Sequence, residues 1–378
     1  MIYLDGNATT RPDPAVVEAM TECLRQAWGN PSSLHVAGQS ARGLLERSRN
    51  RVAQLIGAQA DEVVFTSGGT EANNLVLLGR LAARTDARRH VVTTAIEHQA
   101  LLAPCQRLEA AGWRVTRVPV GPNGVVDPAA VAAVLAPDTA LVSVMLANNE
   151  TGAVQPVAEI ARLAQARGIP VHSDAVQAVG RLPVDVGALG VDYLSLSAHK
   201  FHGPKGIGAL FARRGAALPP LLVGGHQEGR RRAGTENLPG IAGLGKACEL
   251  ALARLAEDPP RLMALRDRLE QLLTAACPGL VVNGGNARRL ANTLNVSFPG
   301  VDAQALAMNL DLLGFCVSTG SACATAGREP SHVLTAMGCG TELAAGALRL
   351  SLTRDNQADD IEQLGRVLPA VVARLKSS

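Results

Sequence analysis

The chain has 378 residues, 47% of them hydrophobic and 18% charged, and a net charge of +3. That length accommodates a large domain plus a smaller one. The weak charge gives no case for nucleic acid or a membrane surface as partner. No apolar run reaches spanning length, so a transmembrane helix is excluded. The start, "MIYLDGNATT", has neither the basic residues nor the apolar stretch of a secretion signal, and a cytoplasmic protein is expected. Seven cysteines without a CxxC pair argue against a disulfide framework and against a zinc or other metal site; most are expected to be reduced and buried, which leaves room for one reactive thiol.

Short β-rich runs alternate with Ala/Leu/Arg segments of helical period. In chain order the strand candidates include "EVVFTS", "HVVTTA", "RVTRVPV", "ALVSVML", "IPVHSD", "VDYLSLS" and "GIGALFA". A helix is predicted over 156–168, closed by a glycine. This alternation implies an α/β fold whose large domain carries a mostly parallel seven-stranded sheet covered by helices. Past "DPP" at 258–260 the pattern changes to a long helix over 261–276, then "NTLNVSFPG", a loop, and a final helix over 359–375. The expected division is residues 15–257 as the large domain, with 1–14 and 258–378 forming a smaller α/β domain.

Ligands of such sheets bind beyond the carboxyl ends of the strands. "FTSGGTEANN" presents Gly68, Gly69 and Thr70 at a helix start, either as an anion cradle or as a plain turn capped by Thr70. His98 follows the second strand, where a histidine is more often structural than functional. Asn148, Asn149 and Glu150 follow another strand as ordinary loop chemistry. Asp174 ends the strand "PVHSD", with Gln177 three residues on; a buried carboxylate there needs a partner, an ion pair with Lys200 or a helix cap. Lys200 ends "VDYLSLSAHK", 26 residues beyond Asp174. Together, a cradle, a histidine, a carboxylate with a neighbouring amide and a lysine are what pyridoxal 5'-phosphate requires.

In order along the chain, "YLDGNATT", "NPSSLHVAGQSAR", "FTSGGTEANN", "NNETGAVQP", "HSDAVQAVG", "SAHKFHGPKGIGAL", "GGHQEGRRRAGTEN" and "STGSACATAGREPSHVLTAMG" resemble the motifs of NifS/IscS-type cysteine desulfurases. These belong to the class V aminotransferase group of fold-type I pyridoxal-phosphate enzymes. The resemblance implies a Schiff base on Lys200, His98 stacked on the ring and shuttling protons, Asp174 on the pyridine nitrogen and Gln177 on the ring hydroxyl. It implies Gly69, Thr70, Ser197 and His199 on the phosphate, with Thr235 reaching in from the other subunit of a homodimer. Asn149 and Arg349 would hold the carboxylate of the L-cysteine substrate, a planar task that suits arginine.

The implied reaction releases alanine and leaves the sulfur as a persulfide on Cys323, in the small-residue run "TGSACATAG", for transfer to an acceptor protein such as an iron–sulfur scaffold. A selenocysteine lyase or an aminotransferase on the same fold would depend less on Cys323. A non-catalytic sulfur-trafficking protein would not need the lysine, aspartate and histidine set. The sequence departs from the family pattern at Gly6, commonly Asn or Ala, and at Gly229-Arg230, which are transposed. It closes at "ARLKSS", short of the tail by which some members dock a scaffold.

Overall fold

A computed structural model describes residues 1–81, 86–319 and 330–376. All seven strand candidates form one sheet: β1 (Val63–Thr66), β2 (His90–Thr94), β3 (Arg114–Val118), β4 (Thr139–Ser143), β5 (Val171–Asp174), β6 (Tyr193–Ser197) and β7 (Gly208–Ala212). Their order is β1-β7-β6-β5-β4-β2-β3. Five run parallel from β6 to β3, while β7 is antiparallel to both its neighbours, β6 and β1. Most of these strands are buried along their whole length, as Val/Leu-rich runs covered on both faces must be.

Helix starts are set by side-chain caps. Asp13 Oδ1 accepts from Ala15 N ahead of Pro14–Gln26, Asn237 Oδ1 accepts from Gly240 N ahead of Leu238–Arg254, and Asp302 caps Ala303–Leu312. The helix predicted over 156–168 spans Val157–Gln165 and is followed by Gly168 at φ 62°. The later helices span Asp258–Ala276 and Ala358–Lys376.

One stretch differs from expectation. What reads as a loop after "NTLNVSFPG" contains the helix Ala303–Leu312, whose Leu306 and Leu310 are fully buried, and the strand Ala347–Ser351. That strand pairs antiparallel with Thr293–Ser297 in a four-stranded sheet. A second apolar core, from Leu4 and from residues between Leu262 and Val372, packs around it. The amino terminus is stitched into this layer: Ile2–Tyr3 pairs with Phe315–Cys316, and Gly6 N donates to Ser351 O. A Cβ on residue 6 would stand 2.7 Å from Leu352 O, so only glycine fits this approach. The departure at position 6 is therefore a packing requirement.

Candidate active site

The carboxyl ends of β1, β2, β4, β5 and β6 deliver their following residues to one cavity of about 210 Å³. Gly69, Thr70, His98, Asn149, Asp174, Gln177, Ser197, His199 and Lys200 all line it, as the strand order requires.

At the β1 end the helix Gly69–Asn74 continues directly into a π-helical segment, Leu75–Arg80. Gly68 is its N-cap, so Thr70 lies inside the first turn and does not cap it, contrary to one sequence reading. A Cβ on Gly69 would meet Val176 Cγ2 at 2.5 Å, so the backbone closes to a distance no other residue permits. The first turn leaves free N–H groups and the positive end of the helix dipole toward the Thr70 and Ser197 side.

His98 is both structural and exposed to the cavity. It N-caps Gln99–Ala110, its Nδ1 accepting from Ala100 N at 3.0 Å. An accepting Nδ1 places the ring proton on Nε2 in the neutral form. Burial, opposed by the charge of Asp174, lowers its pKa and favours that neutral form. His199 is held neutral in the same way, lowered to about 4 by burial and then by the nearby cations Lys200, Lys205 and Arg181.

Asp174 is buried and makes no ion pair with Lys200. Its Oδ2 accepts from Asn73 Nδ2 at 2.7 Å and its Oδ1 from Val176 N at 3.0 Å. Asn73 lies one helical turn beyond Gly69, a spacing that could have marked it in the sequence. Its Oδ1 is buried without a hydrogen bond. Lys200 ends the short 3₁₀ turn Ala198–Lys200, and its Nζ donates to Asn7 O at 2.7 Å and Ala8 O at 2.8 Å.

Arg349 stands on the strand Ala347–Ser351, its guanidinium donating to Asn149 O at 3.1 Å and Asp5 Oδ1 at 2.8 Å. Its Nε is buried with no hydrogen-bond partner among the described residues. It does not line the cavity itself but abuts it through Asn149. Thr235 lies apart, in a crevice with Ser67, Gly206, Glu228 and Glu236. Cys323 lies outside the described residues. The transposed Gly229-Arg230 belongs to a turn in which Glu228, Gly229 and Arg230 all have positive φ. It is fixed by Glu228, whose carboxylate pairs with Arg49 through two contacts of 2.8 Å.

This donor set fits pyridoxal phosphate. The glycine-tight cradle with hydroxyl and amide donors suits the phosphate, Asp174 suits a protonated ring nitrogen, and Lys200 suits the aldehyde.

The aminotransferase class-V family matches residues 2–364, and the chain belongs to that family of pyridoxal-phosphate enzymes. It is 46% identical to cysteine desulfurase 2 of Trichormus variabilis, over all of this chain and 94% of that protein. A solved NifS-like protein superposes with a TM-score of 0.93 at 38% identity, over 99% of this chain and all of that one. The structure of SspA in complex with cysteine gives 0.84 at 34% identity, over 93% of this chain and 99% of that one.

Proposed function

We propose that this enzyme is a cysteine desulfurase that converts L-cysteine to L-alanine and carries the released sulfur as a persulfide on Cys323. The observation that carries this reading is the convergence of Lys200, Asp174, His98 and the Gly69–Thr70 cradle on one cavity. The full-length similarity to cysteine desulfurases narrows the reaction within the family.

In this reading Gly69, Thr70, Ser197 and His199 hold the cofactor phosphate, Asp174 its ring nitrogen, Gln177 its ring hydroxyl and Lys200 its aldehyde. Bound there, pyridoxal phosphate supplies an electron sink for the pair released at the substrate Cα. Asn149 and Arg349 receive the substrate carboxylate. The Lys200 amine would serve as the base for the α-proton. The Cys323 thiolate bonds to the substrate sulfur as the Cβ–S bond breaks, and the bonding pair stays with carbon. Sulfur is oxidised as carbon is reduced, so no outside oxidant is consumed. In this reading His98, its ring proton on Nε2, completes the methyl group of alanine.

The working unit is a homodimer in which Thr235 of each subunit reaches the phosphate site of the other. The exposed Trp28, Leu34, Val36 and Val223 suit a second copy as cover. Residues 15–257 act as the cofactor domain, and 1–14 with 258–378 as the smaller domain carrying the Cys323 loop. The persulfide goes to an acceptor protein, in iron–sulfur cluster or thio-cofactor synthesis in the cytoplasm.

Hydride trapping followed by peptide mapping should place the pyridoxyl label on Lys200, and Cys323→Ala should abolish alanine formation from cysteine. Undiminished alanine production by Cys323→Ala would instead favour a selenocysteine lyase or another reaction on this scaffold. A colourless protein indifferent to borohydride would favour a sulfur carrier.

A further inference from the structure

Arg181 follows the turn that carries Gln177, and its guanidinium lies beneath the Lys200 cavity. It donates to Asn7 Oδ1 and Gly6 O at 2.8 Å each, to Lys200 O at 3.1 Å, and to Gln177 Oε1. Every acceptor is neutral: among the described residues no carboxylate pairs with this cation. Burial, and then the like charge of Arg349, lowers its pKa to about 9, which leaves it protonated at neutral pH. Its neighbours in the adjoining crevice are Lys200, His202, Arg254, Asp258 and Arg354. Such a group is costly to bury, and a methylene chain would pack the same space.

Its effect is on direction. A primary amide can turn over, exchanging its donor and acceptor ends. With Oε1 of Gln177 fixed on a cation, the NH2 must point away from it. One of its two hydrogens goes to Asn7 O at 2.9 Å, and the other is left for the cavity that Gln177 lines. Asn7 is fixed by the same cation: its Oδ1 meets Arg181, while its Nδ2 donates to Asn149 O at 3.1 Å and Thr293 Oγ1 at 2.9 Å.

We infer that Arg181 is a positioning residue that locks the Gln177 amide as a hydrogen-bond donor to the ring hydroxyl of the bound cofactor. This rests on the proposed cofactor site. Loss of that donor destabilises the anionic ring oxygen, so the proton on the lysine-bound cofactor is held to higher pH.

The test is a double-mutant cycle on the holoenzyme with Arg181→Met and Gln177→Leu. It is read by the pH midpoint of the cofactor's visible absorbance and by the dissociation constant for pyridoxal phosphate. Each single variant should raise the midpoint by about one pH unit and weaken cofactor binding about tenfold. The double variant should fall well short of the sum, because the two changes remove one interaction. An unmoved midpoint in Arg181→Met, or additive shifts in the double variant, overturns the inference. If Arg181→Met does not fold, Arg181→Gln replaces it. A neutral amide can itself turn over and gives Gln177 Oε1 no fixed donor, so an upward shift is again expected and an unchanged midpoint is fatal. Failure to label Lys200 by hydride in the wild type would sink the cofactor reading and this inference with it. A labelled wild type with an unaltered variant would sink this inference alone.

Discussion

The main-chain oxygen of Asn7 accepts from Lys200 Nζ at 2.7 Å, across 193 positions of sequence. The same oxygen accepts from Gln177, and the Asn7 side chain bonds Asn149, Thr293, Arg181 and Asn292. Asn7 N donates to Ser351 Oγ at 3.0 Å. One buried asparagine thus ties the amino-terminal segment to the sheet that ends in Lys200 and to the sheet that carries Arg349.

Asn7→Ala should therefore be costly. It strips partners from buried groups on both layers, each worth about 1–3 kcal/mol when left unsatisfied, though not additively. Urea unfolding should show a loss of about 2–4 kcal/mol, and cofactor affinity should fall with it. Asn7→Asp, which replaces the amide donor by a carboxylate, should not restore the bond to the Asn149 carbonyl, which can only accept.

A second prediction concerns the Arg49–Glu228 pair, whose two side chains are almost wholly buried. Glu228 Oε2 also accepts from Phe65 N at 2.9 Å, and Arg49 donates to Val63 O at 2.9 Å while stacking 4.8 Å over the Phe65 ring. The pair therefore holds β1, and hence the start of the Gly69 helix, against the 227–230 turn. Truncating one partner leaves an uncompensated charge. Arg49→Met should cost about 3–5 kcal/mol in denaturant unfolding. The double variant Arg49→Met/Glu228→Met should recover much of that loss.

The seven strands were legible because buried parallel strands are nearly continuous runs of Val, Leu and Ile, and their terminal residues marked the cavity. The reversed direction of β7 was not, because "GIGALFA" has the same burial whichever way it runs. The helix Ala303–Leu312 was missed although Asp302 caps its start and Gly314, at φ 87°, follows its end; apolar residues on both faces, with Met308 and Leu312 exposed opposite the buried Leu306 and Leu310, blur its amphipathic period. Asn7, Asn73 and Arg181 escaped notice for a different reason. The side-chain partners of Asn7 lie 142 to 286 positions away, so no local spacing announces it; Asn73 and Arg181 stand four residues from Gly69 and Gln177, but that spacing does not disclose their distant partners Asp174 and Asn7, 101 and 174 positions away. Asp174 was legible as a buried carboxylate needing a partner, yet the partner is an amide rather than the lysine.

Arg349 supplies a third prediction. Its fork is already half committed, to Asp5 and to Asn149 O, with Nε unpaired among the described residues. Arg349→Lys keeps the charge but cannot hold Asp5, Asn149 O and a carboxylate in one plane. It should raise KM for cysteine and lower kcat/KM by about 10–100-fold. The dissociation constant for pyridoxal phosphate should change little, because Arg349 does not line the cofactor cavity. Equal losses in both quantities would assign Arg349 to the scaffold instead.

The last prediction follows from two buried carboxyl groups. Burial raises Glu97 to about 8, against the hydrogen bonds it accepts from Thr94 Oγ1 at 2.6 Å and Met145 N at 3.0 Å. Glu150 is raised to about 7, again by burial, against a hydrogen bond from Ser331. The folded state keeps these protons where the unfolded chain, titrating near 4.5, has lost them. Their contribution to stability therefore falls as pH rises, up to about 7 for Glu150 and about 8 for Glu97. Four histidines act with the opposite sign. His90, His172, His199 and His202 are lowered to about 4, chiefly by burial, so stability rises with pH between about 4 and 6.5 as the unfolded chain gives up its extra protons. Above 6.5 the histidine contribution is complete and the carboxyls alone remain. Unfolding free energy measured in urea at fixed pH should accordingly decline between pH 6.5 and 8. Glu97→Gln, neutral at every pH and of the same shape, should remove most of that decline and steepen the rise below 6.5, where Glu97 opposes the histidines. A decline of undiminished slope in Glu97→Gln would mean that this carboxyl is ionised in the folded protein at neutral pH.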